Sequence, residues 1–213
     1  METLRMILES KIVTILRGLN SEQSIKVIGA LREGGLNVIE VTFDQTQGPS
    51  VTASIIKRAC DEFQDVCIGA GTVMTMDQLH AANEAGAEFV LAPNTDISII
   101  KETNRLGMIS VPGAFSPSEI TDCYNAGADI VKVFPASVLG PGFFKAVRGP
   151  MPHIPLEAVG GVSLDNICDF LKAGCCSVGI GSNIVDRQAV RENDYSKITV
   201  LAKQYKEKIQ GIS

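Results

Sequence analysis

The sequence predicts an α/β protein: one (β/α)8 TIM barrel spanning residues 1–213, with a short helix ahead of the first strand. Three observations predict it. Short apolar, β-branched runs alternate along the whole chain with amphipathic stretches of helical period. Four segments share one grammar, EGGLNVIEVT (33–42), EAGAEFVLAP (84–93), NAGADIVKVFP (125–135) and KAGCCSVGIGS (172–182), and RLGMISVPG (105–113) is a shorter relative. In each, a helical pattern ends at a glycine, the usual C-terminal cap, and a strand follows at once. Finally, no Pro/Ser-rich linker or break in composition divides the chain. Alternating helices and strands with short connections imply parallel strands, closed as a barrel or open as a doubly wound sheet.

The elements follow in order. Residues 2–9 read as a helix and Ile12–Leu16 as the first strand, which ends at Arg17-Gly18. Ser21 caps a helix to Glu33 whose apolar positions are Ile25, Ile28, Ala30 and Leu31. Val38–Thr42 is the second strand and 49–62 the next helix; Val66–Gly69 is the third strand, leading into the turn Gly69-Ala70-Gly71-Thr72. Strands at 88–92, 108–111, 129–134, 156–159 and 177–180 are separated by helices at 76–85, 96–106, 116–126, 141–147 and 163–173, with a last helix near 194–209; strand and helix pair about the third turn as they do elsewhere. The total is eight strands.

Composition narrows the function. A net charge of −5 with no Lys/Arg block excludes an electrostatic nucleic-acid binder. No apolar run is long enough to span a membrane, and METLRMILESK lacks a signal-peptide core. Six cysteines without a C-x-x-C pair read as reduced core residues of a cytoplasmic protein. Two histidines, His80 and His153, give no metal site, and no cofactor is called for.

In a barrel, function sits at the C-terminal ends of the strands. In Ala128-Asp129-Ile130-Val131-Lys132-Val133-Phe134-Pro135, alternation places Ile130, Lys132 and Phe134 on one face. A lysine inside a covered strand pays desolvation for its charge, so its pKa should fall and make it a nucleophile toward carbonyls; the other reading is an amine that snorkels to solvent. Glu40 and Lys132 each lie five residues after the last glycine of their repeat, Gly35 and Gly127, which puts a carboxylate and an amine at equal height, pointing inward. They suit an acid/base beside a Schiff-base lysine, or an ion pair that only fixes register. Gly160-Gly161 and Gly181-Ser182 follow the last two strands, where such barrels bind phosphate, although glycines there also serve tight turns. Arg17 offers a fork for a carboxylate, with Thr72 as a further donor. The rim therefore fits a phosphorylated 2-keto acid.

With IVTILRG (12–18), EGGLNVIEVTF (33–43), GAGTVMT (69–75), FVLAPN (89–94), VPGAFSPSE (111–119), VKVFPAS (131–137), VGGVSLDN (159–166) and VGIGSNIV (178–185) in this order, the chain resembles the class I 2-keto-3-deoxy-6-phosphogluconate aldolases, which often also act on 4-hydroxy-2-oxoglutarate. The resemblance implies Lys132 as the Schiff-base residue and Glu40 as acid/base. It also implies Arg17, Thr72 and Pro93 around the pyruvyl part, Phe134 against its methyl, and Gly160, Gly161, Gly181 and Ser182 at the phosphate. It implies a metal-free homotrimer of Entner–Doudoroff-type carbohydrate metabolism. Two positions depart from the family pattern. Asp44 stands where many members carry an arginine, in EVTFDQT, so the carboxylate would fall to Arg17. Val159 replaces the threonine of P-T-G-G, as in the 2-keto-3-deoxy-6-phosphogalactonate branch, which makes that epimer the alternative substrate. A phosphate-binding epimerase or synthase barrel would keep the glycine loops without needing Lys132. A non-catalytic sugar-phosphate binder would use Glu40 and Lys132 only as a structural pair.

Overall fold

The computed structural model of the chain describes residues 2–212. Nine parallel strand segments make one sheet: β1 (Ile12–Leu16), β2 (Val38–Thr42), β3 (Cys67–Gly71), β4 (Phe89–Leu91), β5 (Ile109–Val111), β6 (Gly113–Ala114), β7 (Val131–Val133), β8 (Leu156–Val159) and β9 (Ser177–Ile180). Their order is β5-β4-β3-β2-β1-β9-β8-β7-β6. The two ends of that list are halves of one stave, divided at Pro112, so the sheet returns on itself as a barrel rather than an open sheet. Proline has no N–H for the ladder, which breaks there, while its carbonyl still accepts from Lys132 N at 2.9 Å.

Helices α1 (Glu2–Ser10), α2 (Ser21–Glu33), α3 (Pro49–Glu62), α4 (Met76–Glu84), α5 (Ile97–Arg105), α6 (Pro117–Asn125), α7 (Ala136–Arg148), α8 (Ile167–Lys172), α9 (Arg187–Glu192) and α10 (Tyr195–Lys208) complete the chain. The glycine grammar has a physical basis. Gly35 (φ 85°) and Gly127 (φ 104°) take the left-handed conformation just past α2 and α6. The next residue then donates back six positions: Leu36 N to Leu31 O at 3.0 Å, and Ala128 N to Cys123 O at 3.1 Å. Ala87, Met108 and Cys175 repeat the same closure.

Several boundaries differ from the sequence-based expectation. The third strand runs on through Gly71, because both of its glycines face neighbours that leave no room for a Cβ. The helix expected at 141–147 begins at Ala136 and kinks at Gly140 (φ 69°, ψ 168°). Asn166 takes up Ser163 N at 2.8 Å in a turn, so α8 starts only at Ile167. The short α9 stands where no helix was expected.

Two apolar clusters pack the sheet. The outer one lies between strands and helices and includes Ile39, Ile68, Val131 and Val178 on the sheet with Leu31, Ile56, Leu79 and Phe170 on the helices. The inner one fills the N-terminal half of the barrel with Val13, Val38, Cys67, Phe89, Leu91, Val111 and Ile130, closed from below by Ile7 of α1. Phe89 crosses this interior because Gly69 opposes it: a Cβ at Gly69 would lie 2.4 Å from the ring. Replacing Gly69→Ala should therefore destabilise the fold by about 1–3 kcal/mol through overpacking. Gly29→Ala in α2, where the nearest atom to a Cβ is 3.9 Å away, should stabilise it by about 0.5–1 kcal/mol. Urea midpoints of the two variants moving in opposite directions would verify this packing.

Candidate active site

Above the apolar plug, three ionisable side chains project into the barrel: Glu40 from β2, Lys132 from β7 and Glu157 from β8. They are 1%, 4% and 1% exposed. Alternation places them there. Val38 and Ile130, two residues earlier on the same strands, belong to the inner cluster. Lys132 and Glu157 are Cα partners across the β7–β8 ladder, and Glu157 is paired in turn with Ser177 of β9. Gly71 makes room for Glu40, since a Cβ there would lie 2.8 Å from its carboxyl carbon. The Lys132 ammonium stands 5.3 Å from the centre of the Phe134 ring, within cation–π range.

The electrostatics follow from burial. Desolvation pushes the Glu40 carboxyl above its ordinary range, and the charges of Lys132 and Arg17 pull it partly back. Desolvation pushes Glu157 up to about 8, the Glu40 charge raises it further, and Lys132 opposes both. Glu40 Oε2 and both Glu157 oxygens have no hydrogen-bond partner among the described residues. A chamber that holds two carboxyls and one amine without water favours keeping a proton on one of the acids.

Outside this chamber lies a cleft of about 270 Å³ at the C-terminal ends of β1, β8 and β9. It brings together Arg17, Phe134, Val159, Gly160, Gly161, Gly181 and Ser182, seven of the residues singled out from the sequence. Phe134 belongs to both compartments. Gly160 and Gly161 have φ of 95° and 80°, and a Cβ on Gly161 would meet Ser137 at 2.4 Å, so the turn needs both glycines. The backbone N–H groups of Gly161, Val162, Ser182 and Asn183 make no hydrogen bond within the chain, among the described residues, and remain free for an anion.

Thr72 and Pro93 do not line this cleft; they sit across the barrel, after β3 and β4. Thr72 is held at φ 56°, and its carbonyl accepts from Gln45 Nε2 at 2.9 Å, with Gln45 braced by Gln78 at 3.0 Å. Pro93 abuts Gly113 so closely that a Cβ there would come within 2.4 Å of the Pro93 carbonyl. Asp44 spends its carboxylate locally, accepting from Thr46 N at 2.9 Å, Thr46 Oγ1 at 2.7 Å and Gln47 Nε2 at 2.9 Å.

Sequence reading missed two residues. Glu157 shares its strand face with Val159, two residues on, and the same alternation could have found it. Arg187, first residue of α9, adds a second arginine to the cleft lining; a free-standing arginine in a loop-like stretch gave no signal.

The sequence model of a family described as KDPG and KHG aldolase matches residues 4–201. A probable 2-dehydro-3-deoxy-6-phosphogalactonate aldolase of Rhizobium meliloti is 36% identical over 83% of this chain and 82% of its own. A 2-dehydro-3-deoxy-phosphogluconate aldolase of Treponema pallidum is 32% identical over 86% of both. Among solved structures, the KDPG aldolase of Legionella pneumophila, with pyruvate captured as a covalent carbinolamine, superposes with a TM-score of 0.87 at 28% identity, covering 95% of this chain and 97% of that one.

Glu157 gives the fold a pH signature. Its pKa is 4.5 when free and about 8 in the native state. Below 4.5 both states carry the proton; between the two values only the native state does. Stability should therefore fall across this window as pH rises, by about 1.4 kcal/mol per unit at most. Glu157→Gln should remove that fall, so the gap between variant and wild-type urea midpoints should widen from pH 5 to pH 8.

Proposed function

The chain belongs to the KDPG and KHG aldolase family, and from that premise we propose that Lys132 is the imine-forming residue of a class I aldolase acting on 6-phosphorylated 2-keto-3-deoxy sugar acids. The chain is an aldehyde-lyase of this family. The observation that carries the assignment of Lys132 is its position: an amine 4% exposed, on the inner face beneath a cleft lined by free backbone N–H groups. No surface lysine has that setting.

The chemistry follows from the neighbours. The Lys132 amine attacks the C2 ketone, and the carbinolamine loses water to give an iminium, an electron sink. Burial favours the protonated form of Glu40, which suits it to protonate the departing hydroxyl. The resulting carboxylate then takes the C4 hydroxyl proton as the C3–C4 bond breaks. D-glyceraldehyde 3-phosphate leaves, and the enamine is protonated and hydrolysed to pyruvate. Gly160, Gly161, Gly181 and Ser182 hold the phosphate, joined by Arg187. Arg17, whose charge is felt at Glu40, takes the substrate carboxylate with Thr72 and Pro93 completing the pyruvyl side, and Phe134 packs on the methyl. Phosphate binding far from the reacting carbons supplies orientation.

The gluconate epimer is the first substrate in this reading, and 4-hydroxy-2-oxoglutarate, cleaved to pyruvate and glyoxylate, a smaller one. The galactonate epimer is the second reading, favoured by Val159 in the cleft wall, where no hydroxyl is present to sense the configuration at C4. The products suit Entner–Doudoroff-type breakdown of sugar acids. One catalytic barrel serves each protomer of a homotrimer, a reading supported by the exposed Phe115 and Val138 on successive βα connections. Six free cysteines support a cytoplasmic setting.

Pyruvate release from the two epimeric 6-phosphates, followed in a coupled assay, tests this. Wild type should cleave both with kcat/KM values within about tenfold of each other, since one hydrogen bond is worth only about 0.5–1.5 kcal/mol. Val159→Thr should shift the ratio toward the gluconate epimer by about threefold to tenfold, and Lys132→Met should abolish cleavage of both. Activity retained by Lys132→Met would overturn the assignment.

A further inference from the structure

Glu157 has no part in the chemistry described so far, and its setting is unusual. It is 1% exposed, and neither carboxyl oxygen has a partner. A buried acid left this way costs several kcal/mol if charged and about 1–3 kcal/mol if merely unpaired. A methionine or leucine would fill the position without that cost. It is the direct cross-strand neighbour of Lys132, and both side chains enter the same closed chamber.

We propose that Glu157 is a positioning residue that holds the proton Lys132 must lose before it can attack a carbonyl. The inference rests on the reading of Lys132 as the imine-forming residue. The groups around it limit the alternatives. Glu40 faces the pair from β2, and Arg17 of β1 acts on Glu40. From β9 come Ser177 and Cys176, the thiol of the latter pushed up to about 11 and so neutral. Cys67 of β3 is likewise a neutral thiol, and α1 contributes Ile7, Leu4 and Met6. Apart from Glu40, then, Glu157 is the acceptor available to Lys132 inside the barrel.

The proton balance is closed. In the resting chamber an ammonium on Lys132 and a carboxylate on Glu157 exchange one proton to become an amine and a carboxylic acid, with no change in net charge. Low dielectric favours the neutral pair. The two groups are not in ion-pair contact among the described residues, and rotation of the four-carbon Lys132 stem brings Nζ to the carboxyl. The C2–N bond then forms from the amine lone pair, and the hydroxyl leaves as water on the proton of Glu40. Glu157 keeps its own proton through C–C cleavage. When hydrolysis of the product imine frees the amine, that proton returns to Nζ. Lys132 is thus made nucleophilic at neutral pH without releasing a proton to solvent.

The consequence is a pH dependence that a structural acid would not produce. An internal transfer is independent of pH while the pair holds one proton. Loss of the proton to solvent instead makes the amine fraction fall about tenfold per pH unit. The experiment measures the rate of borohydride-trapped adduct formation with pyruvate from pH 6 to pH 8, by intact mass, for wild type, Glu157→Gln and Glu157→Met, with circular dichroism to establish folding. Two variants are used because either could fold poorly. The wild-type rate should change less than about threefold over this range, and that of each folded variant about a hundredfold, most slowly at pH 6. Variants that keep the flat wild-type profile, or a wild type as steep as the variants, would overturn the role of Glu157 while leaving Lys132 in place. Absence of any adduct on wild type would instead overturn the imine reading itself, and this inference with it.

Discussion

Closing the barrel removes its inner face from water, and the whole arrangement depends on how the chain treats the charges it encloses. Glu40, Lys132 and Glu157 sit on a floor of Val38, Ile130 and their neighbours, with Ile7 blocking the route below. Two carboxyls against one amine leave an excess negative charge that no solvent screens. The stable response is to retain protons, which is why both acids are pushed upward. A reaction that alternates between amine, iminium and enamine needs groups ready to give and take protons near neutrality, and burial produces them.

The rim works by a different principle. Here the backbone supplies the binding groups, and glycine is required where the chain must approach closely: Gly161 against Ser137, Gly71 against Glu40, Gly113 against Pro93. The same residue type therefore serves three ends, capping helices, clearing the interior and baring N–H groups. Charge at the rim is sparse, and Arg17 and Arg187 mark the cleft that the glycine turns open onto. The dry chamber and the polar cleft meet at Phe134, which lines the cleft and carries the Lys132 ammonium near its ring face.

Much of this was legible in the chain. The glycine-then-strand repeat revealed the parallel alternation because its cause is local: a left-handed cap closes each helix within six residues. Counting five residues from Gly35 and Gly127 located Glu40 and Lys132, whose inward direction follows from the period of a strand. Glu157 escaped because β8 is entered through Ile154-Pro155 rather than a glycine cap, leaving no offset to count. Gly71 was read as loop because two glycines in one strand weaken its pattern, although the space they clear for Phe89 and Glu40 is what holds the interior together. The placing of Thr72 and Pro93 across the barrel from the phosphate turns depends on the order of the staves, which no local pattern contains. Asp44 and the Gln45–Thr72 link are also tertiary facts, set by contacts between separate loops.

The most direct measurement is peptide mapping after incubation with pyruvate and sodium borohydride. One reduced pyruvyl group, on Lys132 and on no other lysine, is the result these relations require. A folded protein that takes up no adduct, or that carries it on an exposed lysine such as Lys26, would contradict the central role given to the buried amine.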